Sequence, residues 1–250
     1  MIKERLSKNQ FTIGSWITLA HTAIAEIMCQ AGFDWLTIDM EHSVIELAQA
    51  QELIRTIESY GVTPLVRIGE NNPTIIKRVM DAGATGIIVP MVNSRADAER
   101  AIESVHYPPS GKRGVGLARA QKYGLGFEEY KLWLAKESII VVQIEHIKAI
   151  ENLGEILSVS GIDASIIGPY DLSGSLGCPG EFGNERVVEA IQEYEKVCYN
   201  LGKPMGFHLV EPNTERAHEL QEQGYNFLAV GLDTLFLGLK CRDIVGVLKG

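Results

Sequence analysis

Cysteine is sparse in this chain of 250 residues: Cys29, Cys178, Cys198 and Cys241 stand far apart and form no C-x-x-C pair. That spacing disfavours a zinc knuckle or a redox motif and fits reduced thiols in a cytosolic protein. Long apolar runs are missing too. No stretch approaches the roughly 20 apolar residues of a membrane span. The start, Met1-Ile2-Lys3-Glu4-Arg5-Leu6-Ser7-Lys8, has no apolar core of the kind a secretory signal needs. The chain therefore reads as cytoplasmic, with no membrane partner. Positive charge is in deficit, with 23 Lys and Arg against 32 Asp and Glu for a net charge of −9, and basic residues never cluster. A nucleic-acid surface has no electrostatic footprint here. No G-x-G-x-x-G follows the first apolar strand and no G-x-x-x-x-G-K-S/T occurs, so a dinucleotide or nucleoside triphosphate lacks a cradle. The chain also has no G-x-S-x-G elbow for acyl chemistry and no H-x-x-x-H or H-E-x-x-H pair for zinc.

Short apolar, β-branched runs bounded by Gly, Pro or Asp are present instead. They cover residues 11–17, 35–39, 63–68, 86–90, 139–145, 164–168, 204–209 and 227–231, which makes eight candidate buried strands. Helical patterns alternate with them over 47–60, 73–82, 96–105, 147–159, 185–201 and 214–223, and a last one covers 235–248. Several helices reach a glycine before the next strand, as at Gly32, Gly61, Gly83 and Gly202, a C-cap signature. Strict β-then-α alternation predicts parallel strands with crossover helices. Strand starts fall mostly about 22 to 28 residues apart, one βα unit each, with no compositional break to mark a linker. A single-domain (β/α)8 TIM barrel over residues 1–250 is the expectation. An open doubly wound sheet competes, since it differs only in strand order, but eight strands favour the barrel. Two longer connections, residues 107–126 and 171–184, are expected on the rim where a barrel keeps its active site.

In such a barrel the C-terminal strand ends converge, so polar residues there matter most. The second strand ends Asp39-Met40-Glu41-His42, the third ends at Arg67, the fifth at Gln143-Ile144-Glu145, and the sixth runs into Gly168-Pro169-Tyr170-Asp171. Glu145 and Asp171 end neighbouring strands about 4.8 Å apart, close enough to share one ion. An all-oxygen pair favours Mg²⁺ or Mn²⁺ and tolerates Co²⁺. The alternative is that each acid caps a helix or pairs with a base. His42 is a candidate proton carrier, its imidazole titrating nearest neutral pH. Arg67 needs an anion, either a substrate oxygen or a rim partner such as Asp39 or Glu41. Asp81, in the last turn of its helix, opposes the helix dipole, which points to a separate task. Arg119 and Lys122 are either solvated loop charges or partners for a distal substrate carboxylate.

These segments resemble the HpcH/HpaI family of class II pyruvate aldolases nearly end to end. The likeness rests on Phe33-Asp34-Trp35-Leu36-Thr37-Ile38-Asp39-Met40-Glu41-His42, Val89-Pro90-Met91-Val92, the Tyr107–Gly116 run, Val142-Gln143-Ile144-Glu145 and, most specifically, Ile167-Gly168-Pro169-Tyr170-Asp171-Leu172-Ser173-Gly174-Ser175-Leu176-Gly177. The resemblance implies that Glu145 and Asp171 hold a divalent metal onto which pyruvate chelates. It implies that His42 is the base, that Asp81 raises its basicity, and that Arg67 stabilises the developing enolate. It assigns contacts with the bound oxo acid to Gln143, Tyr170 and Asp171, the tyrosine through its backbone N–H. Met40, His146, Tyr170 and His208 depart from the family pattern. A class I aldolase would need a Schiff-base lysine at a strand end, and none of the eight ends has one.

The expected activity is reversible cleavage of a 4-hydroxy-2-oxo acid to pyruvate and an aldehyde. Oxaloacetate decarboxylation or cleavage of an acyl thioester at the same site is the runner-up, and a non-catalytic metal-binding barrel stands behind both. The expected partners are a small 2-oxo acid and further copies of the chain, a hexamer by family analogy.

Overall fold

The computed structural model describes all 250 residues and closes the eight strands into one parallel barrel in the order β1 to β8, so the open-sheet alternative is excluded. The strands are β1 Thr12–Ile17, β2 Trp35–Asp39, β3 Thr63–Arg67, β4 Gly86–Val89, β5 Ile139–Ile144, β6 Ala164–Ile167, β7 Met205–Leu209 and β8 Tyr225–Leu232. Around them run α1 Ile2–Ser7, α2 Thr22–Gln30, α3 Leu47–Ser59, α4 Pro73–Ala82, α5 Arg95–Val105 and α6 Phe127–Glu137. The second half adds α7 Ile147–Glu151, α8 Leu153–Leu157, α9 Pro169–Ser175, α10 Glu185–Leu201, α11 Thr214–Glu222 and α12 Asp233–Lys249. None of these helices is long and apolar enough to cross a membrane.

The strands form here because their side chains satisfy two apolar layers at once. Successive residues point to opposite faces, and the buried set splits accordingly. A larger cluster, including Leu36, Ile38, Val66, Ile87, Val142 and Leu228, packs between the sheet and the helices. A smaller one, including Trp35, Leu65, Ile88, Val141, Ile166 and Phe227, fills the barrel. Trp35 and Phe227 stack at 4.2 Å between ring centroids. The lower end is closed by α1, whose Ile2 and Leu6 join the inner cluster. Lys3 bonds the Ser138 carbonyl at 2.5 Å and pairs with Asp163 at 3.0 Å, and Arg5 pairs with Asp34 at 2.5 Å. Helix starts carry side-chain caps from Asn72, Ser94, Asn184 and Asn213.

Besides α1, which has no counterpart in the sequence reading, four features differ from expectation. The 147–159 pattern is two short helices broken at Asn152. The 171–184 connection begins inside α9, because Pro169 at the first helical position is pre-set for a helix start. An unforeseen helix, α6, follows the 107–126 segment, which itself ends in a 3₁₀ turn, Arg119–Gly124. That segment also lies on the other rim from the one expected. It follows α5, which returns the chain to the N-terminal end, and its Arg119 bonds the Ala82 carbonyl just before β4.

The inward packing is tightest at Gly14, where an added Cβ would meet the Trp35 ring at 2.1 Å. Gly14→Ala is expected to destabilise the fold by about 1–3 kcal/mol through overpacking. Urea denaturation reads this directly, and an unchanged midpoint would contradict the inner layer.

Candidate active site

The same alternation that fills the barrel builds its mouth. Asp39, Arg67, Gln143 and Glu145 follow inward-facing Trp35, Leu65 and Val141 by even steps, so their side chains enter from the inner face. Trp16 and His208 enter from β1 and β7, their rings 5.1 Å apart.

Asp39 and Arg67 are register partners on β2 and β3. Their side chains form a bidentate pair, Nε to Oδ1 at 2.9 Å and Nη2 to Oδ2 at 2.6 Å. Burial by itself pushes the Asp39 carboxyl up, but hydrogen bonds and charge from Arg67 outweigh it and hold the group below the usual carboxylate range. The rim-partner alternative for Arg67 is therefore present, and it leaves Nη1 uncommitted. The guanidinium also lies 4.3 Å over the Trp16 ring. Asp39 Oδ1 accepts the backbone N–H of Glu41 at 3.0 Å and of His42 at 3.2 Å, which fixes the turn that carries His42. His42 itself is largely exposed, its Nε2 3.8 Å from Glu41.

Glu145 is buried, with Oε1 accepting the Met91 N–H at 2.6 Å and Oε2 bonded by Gln143 Nε2. Met91 reaches it from a left-handed conformation, φ 52°, a strained geometry for a residue with a side chain. Burial, then the Glu41 and Asp171 charges, push the Glu145 carboxyl up to about 7. Burial, Asp39 and Asp171 likewise raise Glu41, against the lowering effect of Arg67. Asp171 sits in the first turn of α9 and is exposed, its carboxylate close enough to act on both glutamates. In the same turn the Tyr170 and Asp171 N–H groups have no helical acceptor. The Tyr170 ring is exposed and packs edge-on against Phe182 at 4.7 Å.

The donor set fits a hard divalent ion. Glu145 and Asp171 supply oxygens only, and one buried oxygen beside them, Gln143 Oε1, has no hydrogen-bond partner, while Glu41 Oε2 is paired with Arg67 Nε at 3.3 Å. Carboxylates pushed toward protonation by one another are what a cation between them would relieve. No group of three or more His, Cys, Asp and Glu side chains converges anywhere, so two protein ligands would leave positions for substrate oxygens.

Asp81 is not in this cluster. The ten residues of α4 carry the chain about 15 Å back from the mouth, and Asp81 lies in the last turn, at the N-terminal rim. There Arg113 Nη2 binds it at 2.5 Å and Gln121 Nε2 at 3.2 Å. The separate task of this acid is thus to anchor the 107–126 segment, and within one chain it cannot reach His42. Arg119 and Lys122 are engaged on that rim as well, with Glu58 and Glu129. They line a cleft of about 730 Å³ at the end opposite the mouth, so neither meets a substrate in its own chain. His146 and His21 are helix caps, accepting N–H bonds at 3.1 Å from Lys148 and Ala23. Glu41, named from the sequence as a rim partner of Arg67, lies 3.3 Å from it; sequence reading passed over Trp16, which parity of position along β1 would have found.

A closed parallel barrel with a locked arginine and an oxygen-only donor set at its C-terminal mouth has the layout of an α/β-barrel enzyme. The family model for HpcH/HpaI aldolase/citrate lyase matches residues 12–237, and the chain belongs to that family of carbon–carbon lyases. It is 37% identical to 2-keto-3-deoxy-L-rhamnonate aldolase of Escherichia coli K12 over 93% of this chain and 87% of that one. An HpcH/HpaI family protein from Burkholderia cenocepacia J2315 superposes with a TM-score of 0.94 at 28% identity, covering 100% of this chain and 99% of that one. Citrate synthase SbnG superposes at 0.86 and 25% identity, covering 100% and 98%.

For metal-free protein the raised Glu145 sets a pH dependence. Its carboxyl holds a proton more tightly folded, at about 7, than at the ordinary 4.5. The stability it contributes is complete below about 4.5 and is lost as pH rises through about 7. Wild type is therefore expected to lose stability relative to Glu145→Gln between pH 4.5 and 7.5 in urea titrations. A constant difference would rule out the uncompensated buried carboxylate.

Proposed function

We propose that this enzyme catalyses reversible retro-aldol cleavage of a 4-hydroxy-2-oxo acid to pyruvate and an aldehyde, with Mg²⁺, Mn²⁺ or Co²⁺ held by Glu145 and Asp171. The observation that carries the reading is a guanidinium fixed by Asp39 beside an oxygen-only donor set on the same inner face. When bound, the ion supplies positive charge to the substrate's keto and carboxylate oxygens. Arg67 keeps Nη1 free to donate to the keto oxygen as negative charge develops there, at no cost in reorganisation. His42 takes the proton of the 4-hydroxyl as the C3–C4 bond breaks, and the bonding electrons pass to the enolate. The same imidazole then returns a proton to C3, which releases pyruvate. Gln143 and the first-turn N–H groups of Tyr170 and Asp171 orient the oxo acid. Removing His42 is expected to lower turnover about 10²–10⁴-fold.

A family that spans aldolases and citrate lyases, with a citrate synthase among the similar structures, supports a second reading at the same site, in which the enolate arises from oxaloacetate by decarboxylation or from an acyl thioester. Oxaloacetate turnover without any aldehyde-dependent condensation marks the decarboxylase, and pyruvate α-proton exchange in D2O, followed by NMR, tests whether the pyruvate enolate forms at all. The aldolase reading expects exchange with Mg²⁺ or Mn²⁺ that is abolished by EDTA and by Asp171→Ala. Folded protein that exchanges nothing with any of the three ions removes it.

Asp81 can raise the basicity of His42 only from another copy, because its own chain places it at the opposite rim. The reading therefore includes a homo-oligomer, a hexamer by family analogy, in which the N-terminal rim of one subunit meets the mouth of the next. Exposed Ile244, Val245, Val247 and Leu248 on α12 support association. Mixing His42→Ala with Asp81→Ala subunits after dissociation is expected to give more activity than the two separately. No gain would exclude the shared pair.

A further inference from the structure

His208 occupies a place that packing does not explain. It is an inward residue of β7, two along from Gly206, and an apolar side chain would fill that space without the cost of burying an imidazole. Its ring rests against Trp16, which in turn lies under Arg67. Nε2 faces the Gly231 carbonyl at 3.3 Å, and since a carbonyl oxygen only accepts, Nε2 carries the proton. Burial pushes the imidazole down to about 4, below the usual histidine range, with the nearby Arg67 charge adding to the effect, so the ring is neutral at neutral pH. Nδ1 is then a lone-pair acceptor, and it makes no bond within the chain.

The ring lines a cavity of about 80 Å³ with Arg67, Gln143, Tyr170 and Asp171. On the proposed reading, Arg67 and the donor set take the carboxylate and keto oxygens of a 2-oxo acid. Trp16, His208 and Val210 line the same cavity, and on this reading the acid's C3 carbon lies against them, with His208 Nδ1 as the acceptor there. We infer that His208 makes this enzyme select an enolate donor with a hydroxyl on C3, of which 3-hydroxypyruvate is the smallest. The inference rests on the aldolase reading. In the condensing direction C3 loses one proton to the base and bonds to the aldehyde carbon, and the aldehyde oxygen takes a proton. The product is a 3,4-dihydroxy-2-oxo acid, with no net oxidation or reduction. The E. coli relative is named for a 3-deoxy substrate, so the inference marks a departure from it.

The test uses three donors: pyruvate, 3-hydroxypyruvate and 2-oxobutanoate, which puts a methyl where the hydroxyl stands. C3-proton exchange in D2O with Mg²⁺ gives their relative kcat/KM, and calorimetry gives their dissociation constants. Wild type is expected to favour 3-hydroxypyruvate over 2-oxobutanoate by about tenfold, the worth of one hydrogen bond in a closed site. In His208→Leu the preference should vanish or invert, and His208→Gln, which keeps an acceptor, should retain part of it. Equal use of the two donors by wild type overturns the inference without any variant, as does a preference that survives in His208→Leu. Exchange of pyruvate with no preference for the hydroxylated donor sinks this inference and leaves the aldolase reading standing. Exchange of none of the three overturns both.

Discussion

One carboxylate, that of Asp39, accepts four hydrogen bonds: two from the Arg67 guanidinium and one each from the backbones of Glu41 and His42. The geometry of the barrel mouth depends on that arrangement. An arginine inside a barrel would otherwise be free to swing toward any acid, and two carboxylates with raised affinity for protons, Glu41 and Glu145, lie nearby. Held in a fork by Asp39 and flat against Trp16, Arg67 has one geometry, and its remaining N–H groups have one direction. The same acid pins the turn after β2, so an arginine and an exposed histidine on different elements share one reference point.

The price of this polarity is carried by the corner around Glu145. Glu145 is buried with other acids around it, and its carboxyl is pushed toward neutrality. Such a group is a poor structural element and a good ligand: an arriving cation displaces the proton and relieves the repulsion. The left-handed backbone of Met91, which delivers an N–H to Glu145, fits the same pattern of local cost accepted at a functional site.

Much of this was legible in sequence because strand periodicity carries two messages at once. Even steps along β2, β3 and β5 run from core residues such as Trp35, Leu65 and Val141 to Asp39, Arg67 and Glu145, so the eight strands and the polar mouth came from one pattern. What was illegible depended on chain direction and distance. Asp81 and the 107–126 segment stand in the sequence beside residues of the mouth, but α4 and α5 each carry the chain to the opposite rim before Asp81 and the segment occur. Pairing of Asp81 with Arg113, across 32 positions, has no periodic signature. Helix α1 escaped notice because six residues carry little pattern of their own, and α6 because it buries only Tyr130 and Leu134; α1 owes its place to Lys3 and Arg5 finding acids just before β6 and β2.

That last dependence bears on how the protein is made. The first helix belongs to the barrel floor, yet Ser138 and Asp163, which receive Lys3, belong to the second half of the chain. Strand β1 likewise has its second neighbour in β8. During synthesis the earliest residues to emerge from the ribosome must wait for nearly the last before they can settle, and ring closure ties the two ends together in a late step. Until then the nascent chain exposes an unpaired β1 edge and an unplugged floor, so the interval between translation of Ile17 and of Leu232 is when a chaperone has most to protect.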